Sequence, residues 1–255
     1  MLERLIAPLL YFPSAAHEGW PAQFGLAYET VTLTPAGGPA LHGWWFPAPR
    51  PVASLLFCHG NAGNISHRLD NVARLVGVGF SVLIFDYRGY GLSQGRPTER
   101  GLTEDAQAAW QHFLTLAQPP RFIFGRSLGG AVALALAEQI AGDDLAGLIL
   151  ESTFTSLGDM AGQVFPLPGL KRLIKGYPSI ERLKRMQRPL LIIHGQRDEL
   201  IPFAHGQRLF QAANQPKSFY PIAGAGHNDT YFLGGKLYYA AWKKFIGEVL
   251  PPPAP

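Results

Sequence analysis

Short β-rich apolar runs, each followed by a glycine-bearing turn and then by a segment of helical period, alternate along most of the chain, and few architectures satisfy that alternation. Strands joined through helices pair in parallel, because a parallel connection needs a dozen or more residues. The candidate parallel strands are 54–58, 81–87, 121–125, 145–151, 189–194 and 217–221, mostly apolar on both faces, as strands covered by helices on both sides must be. The helical periods fall at 66–75, 103–116, 128–140, 204–213 and 231–249. Runs 28–33 and 41–46 leave no room for a helix between them and are expected as an antiparallel pair at one sheet edge. The fold class is therefore α/β: a mostly parallel eight-stranded sheet, helices on both faces, and a small lid from the long Pro- and Gly-bearing insertion at 152–187. No self-similarity at periods of 20–50 residues occurs, which excludes a repeat architecture.

With 255 residues, 47% hydrophobic and 16% charged, the chain can bury one large core. The expected organisation is an N-terminal amphipathic segment at 1–27, a catalytic-type domain at 28–250 and a disordered Pro-rich tail at 251–255. A single cysteine, Cys58, excludes an internal disulfide and any multi-cysteine metal centre, and fits a reducing, cytoplasmic compartment. The net charge of +4 comes with no aromatic-basic motif for nucleic acid. Residues 1–13 are interrupted by Glu3, Arg4 and Pro8, so neither a spanning helix nor a signal peptide is expected there.

The sharpest chemical feature is Gly125-Arg126-Ser127-Leu128-Gly129-Gly130, directly after one candidate strand and directly before a candidate helix. A serine on so tight a turn projects out of the sheet, the flanking glycines Gly125 and Gly129 remove Cβ atoms that would clash, and the helix amino terminus offers N–H groups to an oxyanion. A serine hydroxyl is a poor nucleophile at neutral pH and needs a base, which in turn needs an orienting acid. Asp198 follows strand 189–194 and is the candidate acid, with Glu199 and Glu151 as alternatives; His227, in the small-residue loop after 217–221, is the candidate base. The oxyanion donors are assigned to the backbone amides of Leu128 and Asn61, the latter in the loop His59-Gly60-Asn61-Ala62-Gly63-Asn64. His59 is expected to fix that loop, Asn64 to be a turn residue, Cys58 to be an inert buried thiol, and His205 to face solvent. His59, His194 and His227 lack metal-ligand spacing, and the glycines form neither a dinucleotide nor a Walker motif, so no metal and no cofactor are expected.

These residues and their order, Ser127, Asp198, His227, resemble the α/β-hydrolase superfamily over about 28–250. Within it, His59-Gly60-Asn61-Ala62-Gly63-Asn64, Asp86-Tyr87-Arg88-Gly89-Tyr90-Gly91-Leu92-Ser93, Gly95-Arg96-Pro97-Thr98-Glu99, Gly101-Leu102 with Asp105, and Glu151-Ser152-Thr153-Phe154-Thr155-Ser156 are similar to the Bem46 and ABHD17/ABHD13-like branch. The resemblance implies an α/β-hydrolase fold and a serine hydrolase acting through an acyl-enzyme, in a branch that includes membrane-associated protein depalmitoylases. It also implies that Asp86 and Arg88 are structural, holding the loop after the second parallel strand. No cysteine cluster for palmitoylation stands near the start, which leaves the substrate class at ester or thioester. The alternatives are a serine peptidase on short peptides, which would need acidic residues for a free amino terminus, and a non-catalytic binding module.

Two features bear on partners. Residues 171–188 hold seven basic side chains (Lys171, Arg172, Lys175, Arg182, Lys184, Arg185, Arg188) against one acid, Glu181, a net +6 that reads either as a solvated helix face or as attraction to an anionic lipid surface or substrate. Leu2, Leu5, Ile6, Leu9 and Leu10 form one apolar helical face, for packing on the lid or for peripheral contact with a membrane. The expected partner is a small-molecule or lipid-like acyl substrate, not nucleic acid.

Overall fold

The structure is a computed structural model that describes residues 10–164 and 173–250. The apolar face of residues 1–9, the basic residues Lys171 and Arg172, and the tail 251–255 lie outside the described residues. The chain divides into two compact units, Met1–Ile123 and Phe124–Pro255.

In the first unit, β2 (Glu29–Leu33) pairs antiparallel with β3 (Leu41–Phe46), as the missing helix between them requires. β3 then pairs antiparallel with β6 (Phe80–Phe85), not with β4 (Ala53–Cys58), which comes next in the chain; β4 lies parallel to β6 in the register Ala53↔Phe80 to Phe57↔Ile84. Every residue of β4 and β6 is buried, which is why both read as mostly apolar runs, each with one serine, rather than alternating ones. A two-residue parallel pair, β1 (Phe12–Pro13) with β5 (Ala62–Gly63), is too short to leave a periodic trace and was not expected. Helix α1 (Leu69–Gly77) is preceded by a 3₁₀ turn at Ile65–Arg68. Helix α2 (Glu99–Leu116) starts earlier than its apolar period indicates, because Thr98 Oγ1 caps it by accepting from Gly101 N at 3.0 Å.

β7 (Arg121–Arg126) carries the chain out of the first unit. In the second unit, all ten residues of α3 (Leu128–Ala137) are buried, consistent with a helix apolar all round. β8 (Gly147–Glu151), β9 (Leu190–Gly195) and β10 (Lys217–Ile222) lie parallel in the order β8-β9-β10. Strands alternating with helices and pairing mostly in parallel are what the alternation implied.

The insertion at 152–187 holds α4 (Leu157–Val164) and α5 (Ser179–Arg185). Its two ends are stitched together, Leu157 N donating to Gly176 O at 3.1 Å and Ile180 N to Thr155 O at 3.2 Å. α5 packs against α3 and α6 (Ala204–Ala212), and Arg182 and Arg185 both pair with Glu138 at the end of α3. Lys184 pairs with Glu181, and Arg188 donates to the carbonyls of Ile140, Gly142 and Leu145 just beyond α3. Four of the seven basic residues are therefore engaged within the fold. The last helix, α7 (Thr230–Val249), is broken at Gly235, whose φ of 51° and ψ of −134° are not helical. No described helix is long and apolar enough to cross a membrane.

Candidate active site

Ser127 sits between β7 and α3 with φ 55° and ψ −121°, a left-handed conformation that strains a residue bearing a Cβ. The turn is held by Ser127 N donating to Glu151 O at 2.9 Å and by Thr153 Oγ1 donating to Ser127 O at 2.7 Å. Gly125 is needed because a Cβ there would lie 2.5 Å from Gly129 O. Beyond the expected Gly125 and Gly129, Gly130 is a further clearance, where a Cβ would lie 2.5 Å from both Cβ and Oγ1 of Thr153.

Asp198 and His227 arrive on the loops after β9 and β10, and both are buried. His227 Nδ1 lies 2.8 Å from Asp198 Oδ2, and His227 Nε2 lies 3.1 Å from Ser127 Oγ. The other carboxylate oxygen, Asp198 Oδ1, accepts from Leu200 N at 3.0 Å and Ile201 N at 2.7 Å. Burial alone would raise the Asp198 pKa, but contacts from His194 and His227, the charge of His227 and the Ile201 amide together hold it well below the usual carboxylate range. An ionised Asp198 holds the proton on Nδ1, which leaves the Nε2 lone pair facing the serine hydroxyl. Neither alternative acid is so placed. Glu199 is exposed, and Glu151 is paired with Arg126 at 3.0 Å while accepting from Thr230 Oγ1 at 2.7 Å and from Tyr238 Oη.

Arg126 was not singled out in the sequence. Its buried side chain donates from Nε to Glu151 Oε1 and from Nη2 to both His227 O and Asn228 Oδ1, so it clamps the histidine loop. The only trace was the unusual choice of a cation inside an otherwise apolar strand-turn segment.

The remaining candidates divide between the units. In the first, Asn61 has its side chain held by Tyr90 Oη at 2.8 Å and by Leu10 O at 2.6 Å. His59 is fully buried with Nδ1 2.8 Å from Gly60 O, and burial lowers its pKa to about 4 despite the opposing charge of Asp86. Asn64 does more than turn the chain: its Oδ1 accepts from Ser66 N and its Nδ2 donates to Ser14 O and Ala16 O. Arg88 grips Asp105 through its backbone N at 2.8 Å and through its guanidinium. Cys58 is buried, which pushes its thiol up to about 12. In the second unit, Leu128 follows Ser127 as the first residue of α3, so its N–H is among the helix-start amides that lack an intrahelical acceptor. His205, expected to face solvent, is instead completely buried: Thr155 N reaches its Nδ1 at 3.2 Å and Gln163 Oε1 lies 2.9 Å from its Nε2. It stands with Gly206 and Leu209 on the inward face of α6, a face too short and too polar for its period to reveal.

A serine on a strained strand-to-helix turn, in contact with a histidine and through it an aspartate on loops after later strands, is the arrangement of the α/β-hydrolase class. The chain belongs to the family described as Hydrolase_4: Serine aminopeptidase, S33, which it matches over residues 49–180. It is 40% identical to protein Rv2307c of Mycobacterium tuberculosis over 246 residues, covering 94% of this chain and 86% of that one. It is 35% identical over 276 residues to the alpha/beta hydrolase domain-containing protein WAV2 of Arabidopsis thaliana, covering 98% and 88%. With protein bem46 of Schizosaccharomyces pombe the identity is 33% over 260 residues, covering 94% and 85%, so the Bem46 resemblance holds across nearly the whole chain. Among solved structures, the Pyrococcus furiosus esterase Pf2001 superposes with a TM-score of 0.72 at 21% identity, covering 94% and 97%, a likeness of fold.

Proposed function

We propose that the protein is a cofactor-free serine hydrolase of carboxylic esters or thioesters. In this reading Ser127 Oγ attacks the acyl carbonyl as His227 Nε2 takes its proton, and the imidazolium then protonates the leaving alkoxide or thiolate. Asp198 keeps His227 in the required tautomer, and the Leu128 backbone N–H at the start of α3 stabilises the oxyanion. Water, activated by the same histidine, then hydrolyses the acyl-enzyme. The observation that carries the reading is the unbroken relay from Asp198 Oδ2 to His227 Nδ1 at 2.8 Å and from His227 Nε2 to Ser127 Oγ at 3.1 Å.

A peptidase acting on short peptides is the second reading, favoured by the family description. It needs a carboxylate for a free amino terminus, and the acids of the insertion are spoken for: Asp159 pairs with Arg208 and Glu181 with Lys184. This supports esters over peptides. A fluorophosphonate probe should label Ser127 alone, and Ser127→Ala should abolish labelling and lower kcat by about 10⁵–10⁶-fold. A panel of nitrophenyl esters, an acyl thioester and an aminoacyl arylamide assigns the class. Turnover of the arylamide alone would replace the ester reading with the peptidase one.

A further inference from the structure

Three side chains of the first unit converge on one point. His17 comes from the N-terminal segment, His42 from β3 and Asp86 from the loop after β6, and one ligand atom from each lies within 4.8 Å of the other two. His17 Nε2 is 3.2 Å from Asp86 Oδ2, and His42 Nδ1 is 3.9 Å from the same oxygen. At 3.9 Å His42 Nδ1 makes no hydrogen bond to the carboxylate, and it is buried without any hydrogen-bond partner. Four ligands around a zinc-sized ion stand about 3.3 Å apart, so these separations need only small side-chain shifts to close on one cation. Asp86 is fully buried, and three imidazoles, those of His17, His42 and His59, stand 3.2, 3.9 and 3.8 Å from its carboxylate oxygens. Asp86 Oδ1 accepts from Ile65 N at 2.9 Å, which leaves Oδ2 as the oxygen turned to His17 and His42. The position is also kept clear of side chains: a Cβ on Gly91 would lie 2.0 Å from Asp86 Oδ2 and 2.9 Å from His17 Nε2.

We infer that His17, His42 and Asp86 form a binding site for one divalent first-row metal ion of the zinc class, with a fourth position left to water. Two imidazoles and one carboxylate are the donor set that suits Zn²⁺ and Co²⁺ over the harder, oxygen-seeking Mg²⁺ and Ca²⁺. Bound there, the ion ties the N-terminal segment to the sheet and neutralises Asp86, a structural role apart from the Ser127 relay. Trp44 packs edge-on to both rings, with centroids 5.0 Å from His17 and 5.3 Å from His42, and Trp20 lies 5.4 Å from His17, so indole fluorescence reports on occupancy.

The test uses untagged full-length protein stripped with a chelator and titrated with Co²⁺. One equivalent should bind, with the intense visible absorption of low-coordinate Co²⁺ and quenching of tryptophan emission. Zn²⁺ should bleach that band and raise Tm. His17→Gln and His42→Gln, each verified as folded by circular dichroism, should each weaken binding by more than about 100-fold, since changes to outer-shell partners alone cost about 10–100-fold. No absorption above that of the aquo ion in the wild-type protein, or an unchanged band in both folded variants, overturns the site and returns the cluster to a hydrogen-bonded carboxylate.

Discussion

At the residue scale, the proposal of Asp198 as the acid rests on local wiring. Asp198 is ionised, buried and in contact with His227, whereas Glu199 is exposed. Asp198→Asn should lower kcat by about 10⁴-fold by holding His227 in the wrong tautomer, and Glu199→Gln should leave it within a few-fold; steady-state kinetics on one activated ester distinguishes the two. Arg126 acts on the same histidine through its backbone. Lysine cannot reach His227 O, Asn228 Oδ1 and Glu151 together, so Arg126→Lys should lower kcat by about 10–100-fold with little change in KM, as expected when a catalytic group is displaced by about 1 Å. A shifted pH–rate profile in that variant would separate repositioning of His227 from a loss of folded protein. His205 makes a different prediction. Burial lowers its pKa to about 4, below the ordinary value of about 6.5, so the unfolded chain binds more protons between those values and stability falls as pH drops through that window. Denaturant titrations at pH 7 and pH 5 should differ by about 2 kcal/mol on this account, and His205→Asn should remove that part of the slope.

At the element scale, the joint between β7 and α3 depends on clearances that no side chain can share. Gly130→Ala would place a methyl group 2.5 Å from Thr153, which itself holds Ser127 O, so the variant should lose about 1–3 kcal/mol and part of its activity. The midpoint of chemical denaturation measures the first and kcat the second. The helix α5 is anchored by Arg182 and Arg185 on Glu138 and by Asn214 Nδ2 on the carbonyls of Lys184 and Met186, which explains why a short segment so rich in cations is ordered. Strand limits were legible to within one or two residues where the run is mostly apolar and wholly buried, as in β4 and β9, because burial on both faces leaves few polar positions to confuse the ends. The β1–β5 pair and the insertion helices α4 and α5 were not legible, since strands of two residues and helices of eight and seven fall short of the windows of about 11–18 residues over which a hydrophobic period shows.

At the scale of the whole molecule, a net charge of +4 and a sequence pI of about 9.2 favour approach of anionic substrates. The kcat/KM for an anionic acyl thioester should therefore fall as salt is raised towards physiological strength, where the screening length is about 8 Å, while that for a neutral ester stays flat; equal salt dependence would leave the charge with no role in substrate capture. The sequence by itself determined the α/β alternation and the loops that carry Ser127, Asp198 and His227, because hydrophobic period and turn chemistry are local properties written over ten or twenty residues. Only the tertiary structure decided which polar groups are buried together. Glu151 meets Tyr238 across 87 positions, His205 meets Thr155 across 50, and His17 meets Asp86 across 69. A buried polar side chain takes whatever partner the packing brings within about 3 Å, and that partner is chosen by how the strands and helices assemble rather than by anything in its own neighbourhood along the chain.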